Sequence, residues 1–434
     1  MGRPHPRVAP RGPRLCGLRG RRRGAVGGTR VIVDVLPGRT AALEQVSSLE
    51  LPTKRDEAWR YAPHKALGAL TFGPAAAPAA VPADVDAQIP EIEGPRLVIV
   101  NGVFDPERSR LDATPSSLRV ESLAEATDEA VVGLLQREYD AAEDAFSIIN
   151  RAYGTGGALV LVDGRVDKTI HVVNVVAPEV PQAATAARVI VEMAEGSAAT
   201  LVETRIGSGD VGACNIRTEI SLAAGASLEH IVLQDLPTTQ IHLGRVDVVQ
   251  AADSCYQTRL FNLGADYGRV AYHVHLAGEG AEADLSGLYF GFGDQTLDQQ
   301  ITVVHAAANC RTSQSYRGVL DDESTGIWNG GVDVRPGADG TDSVQSNDNL
   351  VLSRRAEVNT MPRLEILADE VSCQHGATVG ELDEEALYYL RSRGIGQAEA
   401  RRLLINGFAD QVMDDLHDDV LRTWIAERLG PDHA

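Results

Sequence analysis

The stretch AEGSAATLVETRIGSGDVGACNIRTEISLAAGAS, residues 194–227, begins and ends with the same short element, a glycine set among small residues. The element follows one apolar run and precedes another, and it recurs downstream as AADSC, GEGAE, AANCR and RPGAD. The third residues of the six copies are separated by steps of 29, 28, 27, 29 and 28 residues: Gly196, Gly225, Asp253, Gly280, Asn309 and Gly337. The chain therefore carries an internal repeat with a period near 28 residues.

Gly, Asn and Asp are the residues that best tolerate a positive φ, so this column predicts one left-handed corner in each repeat. The residue after each corner is always small, as stacked corners would require: Ser197, Ala226, Ser254, Ala281, Cys310 and Ala338. Cys310 occupies one of these small-residue positions, so we expect its thiol to be packed rather than reactive. Short β-branched runs between turn residues, sustained at a fixed period, are typical of a solenoid. We therefore predict a mainly β chain with a right-handed parallel β-helix over residues 157–380.

The charge of the chain is unevenly distributed. The formal net charge is -21, yet residues 1–40 contain ten arginines and one acid, Asp34. Its apolar run is too broken for a secretory signal, so we expect a disordered basic extension, with a transit peptide or a nucleic-acid-binding tail as the alternative. The acidic remainder would repel nucleic acid, and no apolar run is long enough to cross a membrane. These features predict a cytoplasmic protein that binds neither nucleic acid nor membranes.

Two smaller regions flank the predicted solenoid. Residues 41–156 are expected to form a small mixed α/β region, with an amphipathic helical arm over 48–70 and a helix that follows a Ser122 cap. Residues 381–434 are expected to be helical, beginning at an Asp383 cap. The second C-terminal helix carries an apolar stripe at helical spacing: Ala400, Leu403, Leu404, Gly407, Phe408 and Val412. Such a stripe suits either a core or a partner-docking surface.

Motifs of common catalytic sites are missing from the sequence. It has no phosphate-binding GxxxxGK[ST] loop and no GxSxG element, so any ATP hydrolysis must come from a partner. The five cysteines form no CxxC pair, and His273-x-His275 has no recognisable third ligand. Cys373-x-His375 is more suggestive, since residues two apart on an extended chain face one way and both side chains suit iron. Two ligands do not complete a coordination sphere, so packing and metal binding both stay open.

A resemblance emerges from longer motifs. The run from SYRGVLDDESTGIWNGG to DEEALYYLRSRGI, residues 315–395, closely resembles the SufB/SufD family of iron-sulfur cluster assembly proteins. LPTKRDEAWRYAP, residues 51–63, resembles the start of the SufD branch. The GATVG that follows His375 also looks like SufD, because SufB members typically have Glu directly after the matching His.

The resemblance implies a noncatalytic scaffold: a β-helix that pairs with a SufB-like subunit and carries the SufC-type ATPase on its C-terminal helices. It implies a transient iron-sulfur cluster shared with SufB, with His375 as the stronger ligand and Cys373 as the weaker one. Docking would fall on Leu403, Leu404, Phe408 and Val412. The resemblance also raises reduced flavin as an electron source and a homodimer when SufB is missing. The alternatives are a SufB-like paralogue or a β-helix enzyme that acts on polysaccharides.

Overall fold

The computed structural model describes residues 39–429 apart from 75–80, 83, 113, 125–142, 155, 179, 210 and 415. The predicted basic extension thus lies almost wholly outside the described residues, as does most of the helix expected after Ser122. The described helices are α1 Arg39–Val46, α2 His64–Leu67, α3 Val85–Gln88, α4 Ala145–Tyr153, α5 Glu384–Ser392, α6 Gln397–Met413 and α7 Asp419–Arg428. A single 3-10 turn covers Glu57–Trp59.

Strands dominate the middle of the chain. Their bounds are β1 Thr71–Phe72, β2 Arg96–Val100, β3 Val103–Arg110, β4 Leu118–Ser122, β5 Gly157–Val162, β6 Ile170–Val176, β7 Ala183–Met193, β8 Ala198–Gly207, β9 Gly212–Leu222, β10 Ser227–Asp235, β11 Gln240–Gln250, β12 Cys255–Asn262, β13 Tyr267–Leu276, β14 Glu282–Gly291, β15 Thr296–His305, β16 Arg311–Leu320, β17 Thr325–Val334, β18 Thr341–Val351, β19 Glu357–Ile366 and β20 Val371–Gly380.

The strands form a parallel β-solenoid, as the repeat predicts. Odd-numbered strands from β5 to β19 pair successively in one sheet, and even-numbered strands from β6 to β20 pair successively in a second sheet. Each coil therefore contributes one strand to each sheet, and it hydrogen-bonds only to the coils before and after it. The apolar interior between the sheets runs through the whole stack.

The corner column behaves as the sequence predicts. All six residues have positive φ, including the non-glycine members Asp253 at 55° and Asn309 at 59°. Backbone hydrogen bonds join successive corners, for example from Gly225 N to Ala252 O at 2.9 Å. The small residue after each corner is buried, and Cys310 is fully buried with its thiol donating to Gly278 O at 3.3 Å. The repeat thus encodes the stacked turn of the solenoid.

The sixth corner departs from the sequence spacing. Gly337 does have a positive φ, but the residue stacked against Asn309 is Gly340, where an added Cβ would lie 2.4 Å from the Asn309 side-chain oxygen. Strands β16 and β18 are accordingly paired 31 residues apart, as in the hydrogen bond between Thr312 and Ser343. Three extra residues at this corner shift the register of the last coil relative to a 28-residue step.

The two flanking regions pack on the outer faces of the solenoid. N-terminal side chains such as Trp59, Phe72 and Phe146 pack on the outer face of the odd-numbered strands. Residues of α6 and α7, among them Ile405 and Trp424, pack on the outer face of the even-numbered strands. Buried apolar contacts therefore hold both flanking regions against the sides of the solenoid.

Two N-terminal predictions are wrong in detail. Residues 48–70 form no continuous helical arm, because Trp59 is anchored in a turn against Phe146 and under the Arg269 guanidinium, 3.8 Å from the ring centre. Ser122 is the last residue of strand β4 and begins no helix among the described residues; the cap of α4 is Asp144, whose carboxylate accepts from Ser147 N. The C-terminal prediction is confirmed: Asp383 caps α5 by accepting from the amides of Glu385 and Ala386.

Candidate metal centre

The two ends of the solenoid differ. At the N-terminal end, β3 and β4 pair antiparallel with β2 and β5, so they cover the first coil. At the C-terminal end, β19 and β20 each pair on one side only within the described residues. Their side chains are mostly exposed, including the apolar Met361, Ile366 and Val379. An uncovered coil exposes both interior side chains and unpaired strand edges, which are the features through which another β-strand can pair.

Cys373 and His375 both lie on β20 at this open end. Cys373 pairs with Ser343 of β18, and His375 pairs with Gln345. Ser343 and Gln345 are buried inward-facing residues, so the two residues in register with them also face the interior of the coil. Cys373 packs against the edge of the core and is partly buried, whereas His375 is exposed. The structure therefore places the predicted pair side by side at the mouth of the solenoid.

The surroundings of Cys373 keep its sulfur protonated in the free chain. Burial raises the pKa of the Cys373 thiol, and the nearby Asp342 carboxylate raises it further. A thiol in this setting is a poor nucleophile, and it ionises only when a metal or another positive group arrives. Metal binding at this place would thus release a proton from Cys373.

The site is incomplete within one chain. Among the residues that the structure describes, no group of three or more His, Cys, Asp or Glu side chains is placed to hold a metal ion. Thiolate and imidazole can each ligate iron, but a stable iron site needs further ligands. Because Cys373 and His375 lie on the last coil at the open end, the remaining ligands would have to come from whatever covers it.

Sequence reasoning missed the residues beneath the pair. Gln345 and Gln314 follow His375 inward on successive even-numbered strands, since Gln314 pairs with Gln345 and Gln345 pairs with His375. Both glutamines are buried. Their alignment depends on the three extra residues at the sixth corner, which the repeat spacing did not include.

The predicted docking stripe on α6 is divided between core and surface. Val412 is 7% exposed and packs on the even-numbered strands, so it belongs to the core of this chain. Phe408 is partly buried beneath Arg317, whose guanidinium lies 4.6 Å from the ring centre. Leu404 is half-buried, and Leu403 is 46% exposed. On α5, Tyr388 and Tyr389 are exposed as well. The accessible apolar surface therefore centres on Leu403 and α5.

Other candidates from the sequence do not assemble into a site. His273 and His275 share one face of β13, but no described third ligand joins them, and burial lowers the pKa of His273 to about 4. The described cysteines are free thiols. No described helix has the length and apolarity needed to cross a membrane.

Comparison with known proteins agrees with this architecture. Residues 175–408 match the family model described as "SUF system FeS cluster assembly, SufBD core domain", and residues 32–172 match the SufBD protein N-terminal region. The chain is 30% identical over 395 residues to the iron-sulfur cluster assembly protein SufD of Escherichia coli, covering 89% of this chain and 90% of the relative. It is also 30% identical over 397 residues to a SufBD family protein of Synechocystis, covering 87% of this chain and 86% of the relative.

The solenoid fold and these matches together assign the chain to the iron-sulfur cluster assembly proteins. The chain belongs to the SufBD family.

Proposed function

We propose that this chain is a SufD-type, noncatalytic scaffold subunit of a SUF complex. It pairs through the open end of its solenoid with a SufB-like subunit, and a nascent iron-sulfur cluster is assembled between the two chains. The cluster is the cargo of the complex, and His375 and Cys373 are this chain's ligands to it, with His375 the stronger. A SufC-type ATPase supplies the ATP hydrolysis.

The observation that carries the proposal is the uncovered last coil, on which Cys373 and His375 lie at the open end of the solenoid. A second solenoid that pairs with β19 and β20 would continue both sheets and cover Met361, Ile366 and Val379. It would also bring its own side chains within reach of Cys373 and His375. Shared ligation explains why two separate chains are needed, because neither alone completes the site.

The C-terminal helices are the proposed ATPase-docking surface. Tyr388, Tyr389 and Leu403 expose apolar area on α5 and α6, and α6 is held to the solenoid by a separate buried face. A docked partner can therefore bind them without competing with the core. Its ATP-driven movement would be transmitted to the even-numbered strands, on which α6 and α7 pack, and from there towards β20.

The remaining features of the proposal rest on the family resemblance. They are a cytoplasmic location, reduced flavin as the electron source, and a homodimer through the same open end when the SufB-like chain is missing. No residue is proposed to bind flavin. A SufB-like role is the second candidate, and the sequence after His375 and the SufD relatives favour the SufD role over it. Nothing in the described site favours polysaccharide cleavage.

The test is an anaerobic co-purification of the tagged chain with a SufB-like subunit and a SufC-type ATPase. Recovery of both partners, with iron and sulfide bound to the complex, is the expected result. A matched preparation in which Val379 and Met361 are both replaced by Asp should lose the SufB-like partner and keep the ATPase, because the two surfaces are separate. Loss of neither partner in that double variant would contradict the proposed interface.

A further inference from the structure

The interior of the last coils contains polar side chains that have no hydrogen-bond partner. Buried side-chain atoms without partners include both amide atoms of Gln345, both amide atoms of Gln299 and the amide oxygen of Gln314. Gln345 is 2% exposed and Gln299 is 1% exposed, so bulk water does not replace the missing partners. An unpaired buried amide is costly, and such groups call for a role.

Two of these amides, those of Gln314 and Gln345, are aligned with His375, and Gln345 is the one next to it. Gln345 lies directly between Gln314 and His375 on three neighbouring parallel strands. Neighbouring strands are about 4.8 Å apart, which is the spacing at which stacked amide side chains form ladders. Gln299 has the same chemistry and burial, but it lies on the opposite sheet, in register with Trp328.

One hydrogen bond determines how the amide groups are oriented in the column formed by Gln314, Gln345 and His375. The amide nitrogen of Gln314 donates to Gly331 O at 3.4 Å, which leaves its amide oxygen as an acceptor. Gln345 can therefore donate its amide N–H to that oxygen, and its own amide oxygen then faces His375. An imidazole that ligates a metal through one nitrogen carries a proton on the other and needs an acceptor for it. The Gln345 oxygen is the buried acceptor aligned with it.

We propose that Gln345 is the positioning residue of His375: its amide oxygen accepts the free imidazole N–H when His375 ligates iron, and so fixes the tautomer and orientation of the ring. The inference rests on the proposed role of His375 as a ligand. The unpaired state of Gln345 belongs to the free chain, in which the exposed imidazole is not held. Ligation of the metal completes the column from His375 through Gln345 and Gln314 to Gly331.

The test uses the complete complex with its partner subunits, purified anaerobically without metal and titrated with Co²⁺. The dissociation constant is read from the visible absorption of the bound ion. Gln345→Met keeps the side-chain volume but removes the acceptor, so Co²⁺ binding should weaken about 10- to 100-fold, as is usual when such a partner of a ligating histidine is lost. The Tm of the metal-free complex should not fall, because the variant removes an unpaired buried amide.

Two variants keep the outcome decisive. Gln299→Met removes an equally buried amide outside the column, and it should leave Co²⁺ binding unchanged. Gln345→Glu keeps an acceptor for the imidazole proton and should retain the binding that Gln345→Met loses. Equal Co²⁺ affinity in the Gln345→Met and Gln299→Met complexes would overturn the proposal, whether both complexes match the wild type or both bind more weakly.

His375→Ala separates this proposal from the one on which it rests. If His375→Ala weakens Co²⁺ binding and Gln345→Met does not, His375 is a ligand and only the role of Gln345 is refuted. If His375→Ala has no effect, both assignments fall together.

Discussion

Leu403 offers a quantitative test of ATPase docking, because it is exposed while the other three predicted docking residues, Leu404, Phe408 and Val412, are partly or wholly buried. Full burial of a leucine side chain is worth about 1.5–3 kcal/mol. Since Leu403 is 46% exposed in the free chain, a partner that covers it gains roughly half of that, on the order of 1 kcal/mol. Leu403→Ala should therefore weaken ATPase binding about fivefold. Leu403→Asp should weaken it far more, because a carboxylate must also lose its water.

The same substitution should barely affect folding. An exposed helical position tolerates Asp at a cost within about 1 kcal/mol. Val412→Asp, by contrast, would place an unpaired carboxylate in the core and should destabilise the chain by several kcal/mol, roughly 3 or more. Isothermal titration of the chain with the ATPase, combined with thermal unfolding, separates the two effects. Val211→Asp is the matched control, since Val211 is 50% exposed and precedes strand β9 rather than belonging to α5 or α6. Unchanged binding by Leu403→Asp would refute the docking surface.

Two further predictions concern the stability of the solenoid. Gly225→Ala should lower the free energy of unfolding by about 1–2 kcal/mol in urea titrations, because φ is 65° there while the added Cβ would have room, 3.9 Å from Gly196 Cα; no loss would contradict the corner assignment. Burial lowers the pKa of His171 to about 3 and that of His305 to about 4, from an ordinary value of 6.5. The two histidines therefore become protonated at a higher pH in the unfolded chain than in the folded chain. The free energy of unfolding should decline as pH falls from about 6.5 towards 4, by up to about 1.4 kcal/mol per pH unit for each histidine. Thermal unfolding across that range checks the decline, and a flat profile would show that the imidazoles are not held neutral.

The fold could be predicted from the sequence where backbone chemistry restricts the choice of residue. A left-handed corner excludes most side chains, so the column from Gly196 to Asn309 makes the repeat visible in the amino-acid sequence alone. Ser122 shows the opposite case. Serine ends strands and caps helices alike, and only the pairing of β4 with β5 decides between the two roles.

The candidate site could be predicted only in part. Cys373 and His375 stand out as a chemical pair, but their position at an open end depends on how many coils the chain builds. A 28-residue step from His375 leads back to Asn347, whereas the structure pairs His375 with Gln345. The chain between β18 and β20 is two residues longer than a 28-residue step, and local sequence does not show where inserted residues will be accommodated. The exposure of Leu403 beside the burial of Val412 likewise depends on which face of α6 meets the solenoid.

Whether His375 ligates the nascent cluster is decided by the iron and sulfide content of the anaerobically assembled complex carrying His375→Ala. The side chain is exposed and contributes little to the core, so the complex should assemble normally while its iron and sulfide content falls sharply. Gln374→Ala, the exposed neighbour that faces the other way on β20, should retain the full content. Wild-type iron and sulfide in the His375→Ala complex would rule out ligation by this histidine and leave the chain with an architectural role alone.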